Sequence, residues 1–269
     1  MNKITAKTPY MKQGNVDVYD FGTFKFHVYN SNDVMADTSF IIEGKDALVT
    51  MEEPLFKACV EEFDTYLKSL GKPVAEHIVD FHECGTGDSP VVMAEGMHKF
   101  MHEGAYAAMM QGFQKAFGDS MVELPTGKAS EVKFGSTEVY AGVPFKFLRT
   151  VSTDFPATSI LIGDAVRYSH WAPVKMHPSH LQISSPAAIK ATIANLTEAL
   201  ATDATLFCGG HGGAVDKETA EFKLQYFEKM QPLVAENKTP ETFITAIKEA
   251  YPSLAGEDNL NDLAAALYK

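Results

Sequence analysis

Two hydrophobic periods take turns along the chain. Residues 23–30, TFKFHVYN, alternate apolar and polar positions, which predicts a strand with one buried face. Two short apolar runs, SFIIEG (39–44) and DALVTME (46–52), flank Gly44-Lys45 and predict a β-hairpin. The period then lengthens. From Pro54 the chain carries Phe56, Cys59, Val60, Phe63, Leu67 and Leu70 at spacings of three and four, the stripe of a helix laid on a core, and Gly71 ends it. EHIVDFH predicts the next strand, and the Met- and Ala-rich segment 91–118 predicts a helix broken near Gly96 or Gly104. Strand patterns return in EVKFGSTEVYAG, FKFLRTVS and TSILIGDAV. A helix over SPAAIKATIANLTEAL, a short buried strand in ATLFCGG and helices from Asp216 onward complete the pattern. Thr239 before Pro240 predicts an N-cap with proline in the first turn.

Strands in runs, interrupted by helices, predict an α+β fold of two packed sheets flanked by helices, in preference to one doubly wound parallel sheet. No repeat or long linker divides the 269 residues. We therefore expect one domain, 1–269, with about 216–269 as a helical C-terminal extension packed on it.

Composition narrows the function. A hydrophobic fraction of 45% supports a full core. A formal net charge of −12 disfavours nonspecific nucleic-acid binding, which needs clustered cations, and a polybasic membrane role. No apolar run is long enough for a membrane span, and the N-terminus has no apolar signal core. Cys59, Cys84 and Cys208 form no disulfide pattern and fit a reducing compartment, so a cytoplasmic location is expected, although removal of a leader before residue 1 remains compatible with the sequence. The Met-rich segment offers an apolar face for a possible homo-oligomer.

Three strand ends carry candidate chemistry. In HIVDFHECGTGD, Asp80, His82 and Cys84 fall at every second position. If the chain stays extended there, a carboxylate, an imidazole and a thiol share one face, all ligand types for zinc or iron. The plainer alternative is a strand that ends in polar residues and glycines. In TSILIGDAV an apolar run meets Asp164, able either to bind a cation or to cap a turn. In LFCGGHGG four glycines surround His211, an arrangement suited to a ligand or general base and not to a packed core histidine. A dinucleotide loop is excluded there, because Val215 stands where its third glycine is required. After Asp164 come Arg167, able to hold an anionic group, then His170, Trp171, His177 and His180.

Taken in order, these segments resemble the metallo-β-lactamase superfamily, over most of the chain from SFIIEGKDALVT through ILIGD to LFCGGHGG. The resemblance implies a four-layer αββα sandwich with one or two metal ions at an edge of its sheets. His82 matches the second histidine of the family's H-x-H-x-D-H motif, Asp80 and Cys84 replace its first histidine and its aspartate, and Gly85 replaces the adjacent histidine. Asp164 and His211 match the later aspartate and the last histidine, and Asp154 falls near the middle histidine. The implied metal set is Asp80, His82, Cys84, Asp154, Asp164 and His211, with Asp164 and His211 catalytic and Arg167, His170 and Trp171 near the substrate. The implied activity is metal-dependent hydrolysis of an ester, lactone or thioester-type small molecule by activated water. Zinc is the metal expected from the resemblance, and carboxylate-rich ligation leaves manganese or iron open. The alternative is a non-catalytic binding or scaffold protein on the same fold, with a degenerate site that binds no metal.

Overall fold

The computed structural model describes residues 2–6, 8, 10–86, 89–124, 128–151 and 158–269, with the side chains of Asn2 and Cys84 outside that description. Strands β1 (Asn2–Thr5), β2 (Asn15–Asp20), β3 (Lys25–Asn30), β4 (Thr38–Glu43) and β5 (Leu48–Met51) form an antiparallel meander. Helix α1 (Lys57–Ser69) then crosses over, and β6 (Val74–Ile78), β7 (Val91–Ala94) and β8 (Ala129–Val132) continue the same sheet in parallel. Helices α2 (Met97–His102) and α3 (Gly104–Phe117) lie between β7 and β8.

The second sheet holds β9 (Thr137–Tyr140), β10 (Val143–Arg149), β11 (Thr158–Ile162), β12 (Val166–Ser169), β13 (Leu206–Gly209) and β14 (Gly213–Asp216) in spatial order β14-β13-β12-β11-β10-β9. Helix α4 (Pro186–Leu200) precedes β13, and α5 (Lys217–Glu236), α6 (Pro240–Ala250) and α7 (Leu260–Leu267) close the chain. Among the described residues no helix is long and apolar enough to cross a membrane.

The chain divides into two compact units: Met1–Arg149 with Thr158–Ala172 and Cys208–Ala214, and Thr150–Ala157 with Pro173–Phe207 and Val215–Lys269. The helical region expected from about residue 216 thus gathers α4 as well. In the first unit the stripe on α1 buries Cys59, Phe63 and Tyr66 at i, i+4 and i+7 against Val16, Tyr29, Ile41 and Leu48 of the first sheet. Each such aromatic removed from water contributes roughly 2–3 kcal/mol before entropy is charged. The two sheets meet through Phe40 on β4 and Tyr168 on β12, edge to face with centroids 6.0 Å apart.

The second unit has its own core, in which α4 contributes Ile189 and Leu196, α5 Tyr226, Phe227 and Met230, α6 Phe243 and Ile247, and α7 Leu263 and Leu267. Asp216 caps α5 by accepting from the Thr219 amide at 2.8 Å. The predicted cap at Thr239 is a capping box closed by Thr242, with Pro240 at the first helical position.

The structure corrects one expectation of secondary structure. Residues 91–94 are strand β7 and not the start of a helix. All four are buried, and a strand paired in parallel on both sides shows no alternation to distinguish it from a buried helix. The helices that follow break as expected at Gly96 (φ 83°) and Gly104 (φ 64°). The apolar strand of TSILIGDAV ends before Gly163-Asp164 as expected, and Gly163–Ala165 form the turn of the β11–β12 hairpin.

Candidate metal centre

Three segments of the first unit converge. β6 stops at Ile78, and the chain bends through Val79–His82. The carboxylate of Glu52, fully buried just beyond β5, holds that bend. It accepts from the amides of Asp80 (Oε1, 2.5 Å), Phe81 (3.3 Å to each oxygen) and His82 (Oε2, 3.1 Å). Its Oε2 lies 3.6 Å from His82 Nδ1. The second segment is the end of β12, where His170 and Trp171 follow Ser169. The third is His211, between β13 and β14. Its amide donates to the His170 carbonyl at 3.2 Å, and its carbonyl accepts from the Ala172 amide at 2.9 Å.

The outcome is a cluster of imidazoles. One ring nitrogen from each of His82, His170 and His211 lies within 4.8 Å of the others. Their ring centroids are 4.8 Å apart for His82–His211, 4.9 Å for His170–His211 and 5.3 Å for His82–His170. Trp171 stacks on His211 at 4.6 Å and 29°. Asp37, just before β4, places Oδ1 3.3 Å from His211 Nδ1, close enough to act on that ring through its charge though not hydrogen-bonded to it. Gly210 is needed for the approach: a Cβ there would lie 2.9 Å from His82 Cε1 and 3.2 Å from Glu52 Oε2.

Burial sets the protonation of the cluster. It pushes His170 well below the usual imidazole range, with His211 and His82 adding to the shift. It also lowers His82, against the opposing pull of Glu52. His211 falls to about 4, through burial first and then His82. All three rings are therefore neutral near pH 7 and keep a lone pair for a cation. Asp37 is raised to about 7 by burial, with His211 opposing.

The cluster fits a metal ion. One nitrogen from each ring is within 4.8 Å of the others, and the buried Nδ1 of His170 has no hydrogen-bond partner, which is costly unless something binds it. Three histidines suit zinc with an open fourth position.

The sequence-derived candidates are placed unevenly. His82 and His211 are in the cluster. His170, expected near the substrate, is one of the three converging rings, and Trp171 is beside it. Asp164 is not there. It lies exposed in the β11–β12 turn with φ 54°, at the opposite end of β12 from His170. The strand end that reaches the cluster is therefore that of β12, and it carries His170.

Asp80 is buried but turned away, with Oδ2 accepting from Tyr168 Oη at 3.4 Å. Burial, and then the Glu52 charge, raise its pKa well above the carboxylate range, and its Oδ1 has no hydrogen-bond partner. Arg167 is buried within β12 opposite Leu161 and, by strand alternation, on the sheet face away from Tyr168. It is 3% exposed. Cys84 lies in a 3₁₀ turn, Cys84–Thr86, and its side chain is outside the described residues, as is Asp154. His177, in the second unit, is buried with Nδ1 2.8 Å from Tyr226 Oη, and His180 is exposed.

Gly85 has a packing reason. A Cβ there would come 2.8 Å from Glu53 Cβ and 3.1 Å from the Pro54 carbonyl, so no larger side chain fits unless something shifts. Asp37 and Glu52 were not legible as site residues. Glu52 has a positive φ of 57°, and only the folded chain brings either residue to the histidines.

No family model matches the chain, and no curated protein matches it. Solved structures do. A metallo-β-lactamase family protein from Thermus thermophilus superposes with a TM-score of 0.57 at 16% identity, covering 86% of this chain and 87% of its own. An archaeal metallo-β-lactamase superfamily protein from Sulfolobus tokodaii gives 0.51 at 13% identity, over 84% and 92%. An inverting sec-alkylsulfatase from Pseudomonas sp. gives 0.60 at 15% identity over 90% of this chain, which spans 48% of the sulfatase. The chain thus has the metallo-β-lactamase fold, and the α+β class and the likeness expected from the sequence are borne out.

Proposed function

We propose that the protein is a metal-dependent hydrolase that holds one divalent ion between His82, His170 and His211 and cleaves an ester, lactone or thioester-type bond in a small molecule. The observation that carries this is the convergence of three neutral, partly buried imidazoles on one point. The fold supports it, since the similar solved structures include metallo-β-lactamase proteins and a sulfatase. Zinc is the favoured ion for an all-histidine set, ahead of manganese or iron. When bound, the ion supplies Lewis-acid polarisation and lowers the pKa of water toward about 7.

The protein's own groups do the rest. Asp37 lies 3.3 Å from His211 Nδ1 and stabilises that ring electrostatically when it carries charge. Glu52 fixes the backbone of residues 80–82 and so the position of His82. Trp171 covers one face of His211 and limits water on that side. Buried Cys59 and Cys208, both free thiols, suit a reducing compartment such as the cytoplasm.

The test is a panel of aryl esters, lactones and thioesters assayed before and after chelation and re-addition of Zn, Mn or Fe(II). Turnover should depend on added metal and disappear in His82→Ala and His211→Ala. Turnover that survives chelation, or none under any metal, overturns the proposal.

A further inference from the structure

Beside the histidine cluster, the first unit contains a cavity of about 150 Å³ under the helices that follow β7. Phe81 forms one wall. Its ring is 4.3 Å from that of His170 on one side and 5.8 Å from Tyr106 on the other. Tyr106 Oη donates to the Phe81 carbonyl at 2.8 Å and fixes that wall. Met101, Ala107, Met110 and Leu124 supply further apolar lining. The remaining boundary is polar: Gln111, with Glu83 and His102, whose Oε1 and Nε2 approach to 2.7 Å without an aligned hydrogen bond, and His98 stacks on His102 at 4.3 Å.

Size and lining limit the occupant. A cavity of about 150 Å³ holds one benzene-sized ring, far less than the roughly 300–1,000 Å³ of a pocket for a drug-sized ligand. Aromatic and thioether walls favour a flat ring. A purely apolar ring would leave the Glu83–His102 pair facing hydrocarbon, which is unfavourable for buried polar atoms. A hydroxyl on the ring satisfies them. The cavity is open to solvent on one side, so a ligand can enter without displacing α3, whose Met110, Phe113 and Phe117 pack against the core of the first unit.

We propose that this cavity is a binding pocket for a hydroxyaryl group, a single aromatic ring bearing one hydroxyl, and that it receives that part of the molecule cleaved at the histidine centre. The second half of the proposal rests on the hydrolase reading. The first half does not, because the pocket is built without the three histidines.

The probe is phenol, titrated into chelator-treated protein and followed by saturation-transfer NMR, with toluene as the comparison. Phenol should bind with a Kd on the order of 1 mM, as a ligand of seven heavy atoms allows, and at least several-fold more tightly than toluene. Ala107→Phe fills the cavity and should weaken phenol at least ~10-fold, with an unchanged circular dichroism spectrum as the folding control. Met110→Ala enlarges the cavity and should admit 2-naphthol, which the wild type excludes. Phenol binding unchanged by Ala107→Phe, or absent at about 20 mM, overturns the pocket.

For the link to the centre, Ala107→Phe should raise KM for ethyl 4-hydroxyphenylacetate at least ~10-fold and leave ethyl acetate unchanged. Equal KM effects on both esters overturn the link. If neither ester is cleaved, the link to the centre is overturned, while the panel of esters, lactones and thioesters still decides the hydrolase reading and phenol binding the pocket.

Discussion

Lys223 gives the sharpest test of how burial sets charge in this protein. It is 1% exposed on α5, its Nζ donates to the Met176 carbonyl at 2.6 Å, and the rings of Tyr226 and Phe227 lie 5.2 and 5.1 Å away. Burial lowers its amine from 10.5 to about 7. Above pH 7 the folded protein sheds a proton that the unfolded chain keeps until pH 10.5. The unfolded state binds more protons in that window, so stability rises with pH there, at up to about 1.36 kcal/mol per pH unit. From pH 7 to 9 the gain is about 2 kcal/mol, because the amine is already half deprotonated at pH 7. The window closes near pH 9 because Cys59, raised to about 12, retains its proton in the folded state and pulls the other way. Lys223→Met keeps most of the volume and removes the titration. It loses one hydrogen bond, worth about 1 kcal/mol, and relieves a larger desolvation cost at pH 7. We expect the variant to be more stable than the wild type at pH 7 by about 1–3 kcal/mol, and that advantage to vanish or reverse by pH 9. Urea unfolding followed by circular dichroism at several pH values measures both slopes. Parallel slopes for the two proteins refute the reasoning.

Other expectations follow from single contacts. Gly210→Ala pushes a methyl against His82 and Glu52 and should reduce metal affinity at least ~10-fold with the fold retained, measured by competition with a chromogenic chelator. Asp37→Asn keeps the shape at His211 but not the charge, and should weaken metal binding about 10–100-fold in the same assay. His27 is lowered to about 4 by burial, between Tyr66 Oη at 2.7 Å and Glu43 at 3.2 Å. Its contribution is complete above pH 6.5 and is lost as pH falls toward 4. His27→Gln should therefore flatten the acid limb of the stability curve by up to about 3 kcal/mol, read from thermal melts across that range.

Most of the fold was legible because its elements keep clean periods. The α1 stripe, the β4–β5 hairpin and the capped α6 each follow from local rules that tertiary packing does not override. β7 was not legible, since a strand buried on both faces loses its alternation. The site was half legible. His82 and His211 stand out because glycines follow or flank them where the chain bends sharply. Asp164 misled because Gly-Asp marks either a strand end or a hairpin turn, and only the register of β11 with β12 tells which. That turn moves the functional strand end on to His170. Asp37 and Glu52 carry no local signal, as their role arises from distant segments meeting.

The central claim is that His82, His170 and His211 share one ion. Elemental analysis of protein purified without chelator, and of the variant with all three histidines replaced by alanine, addresses it most directly. The account predicts close to one equivalent of zinc, manganese or iron per chain in the first and none in the second, with both equally folded. An empty wild type that takes up none of these ions, or a triple variant that retains its metal, contradicts it.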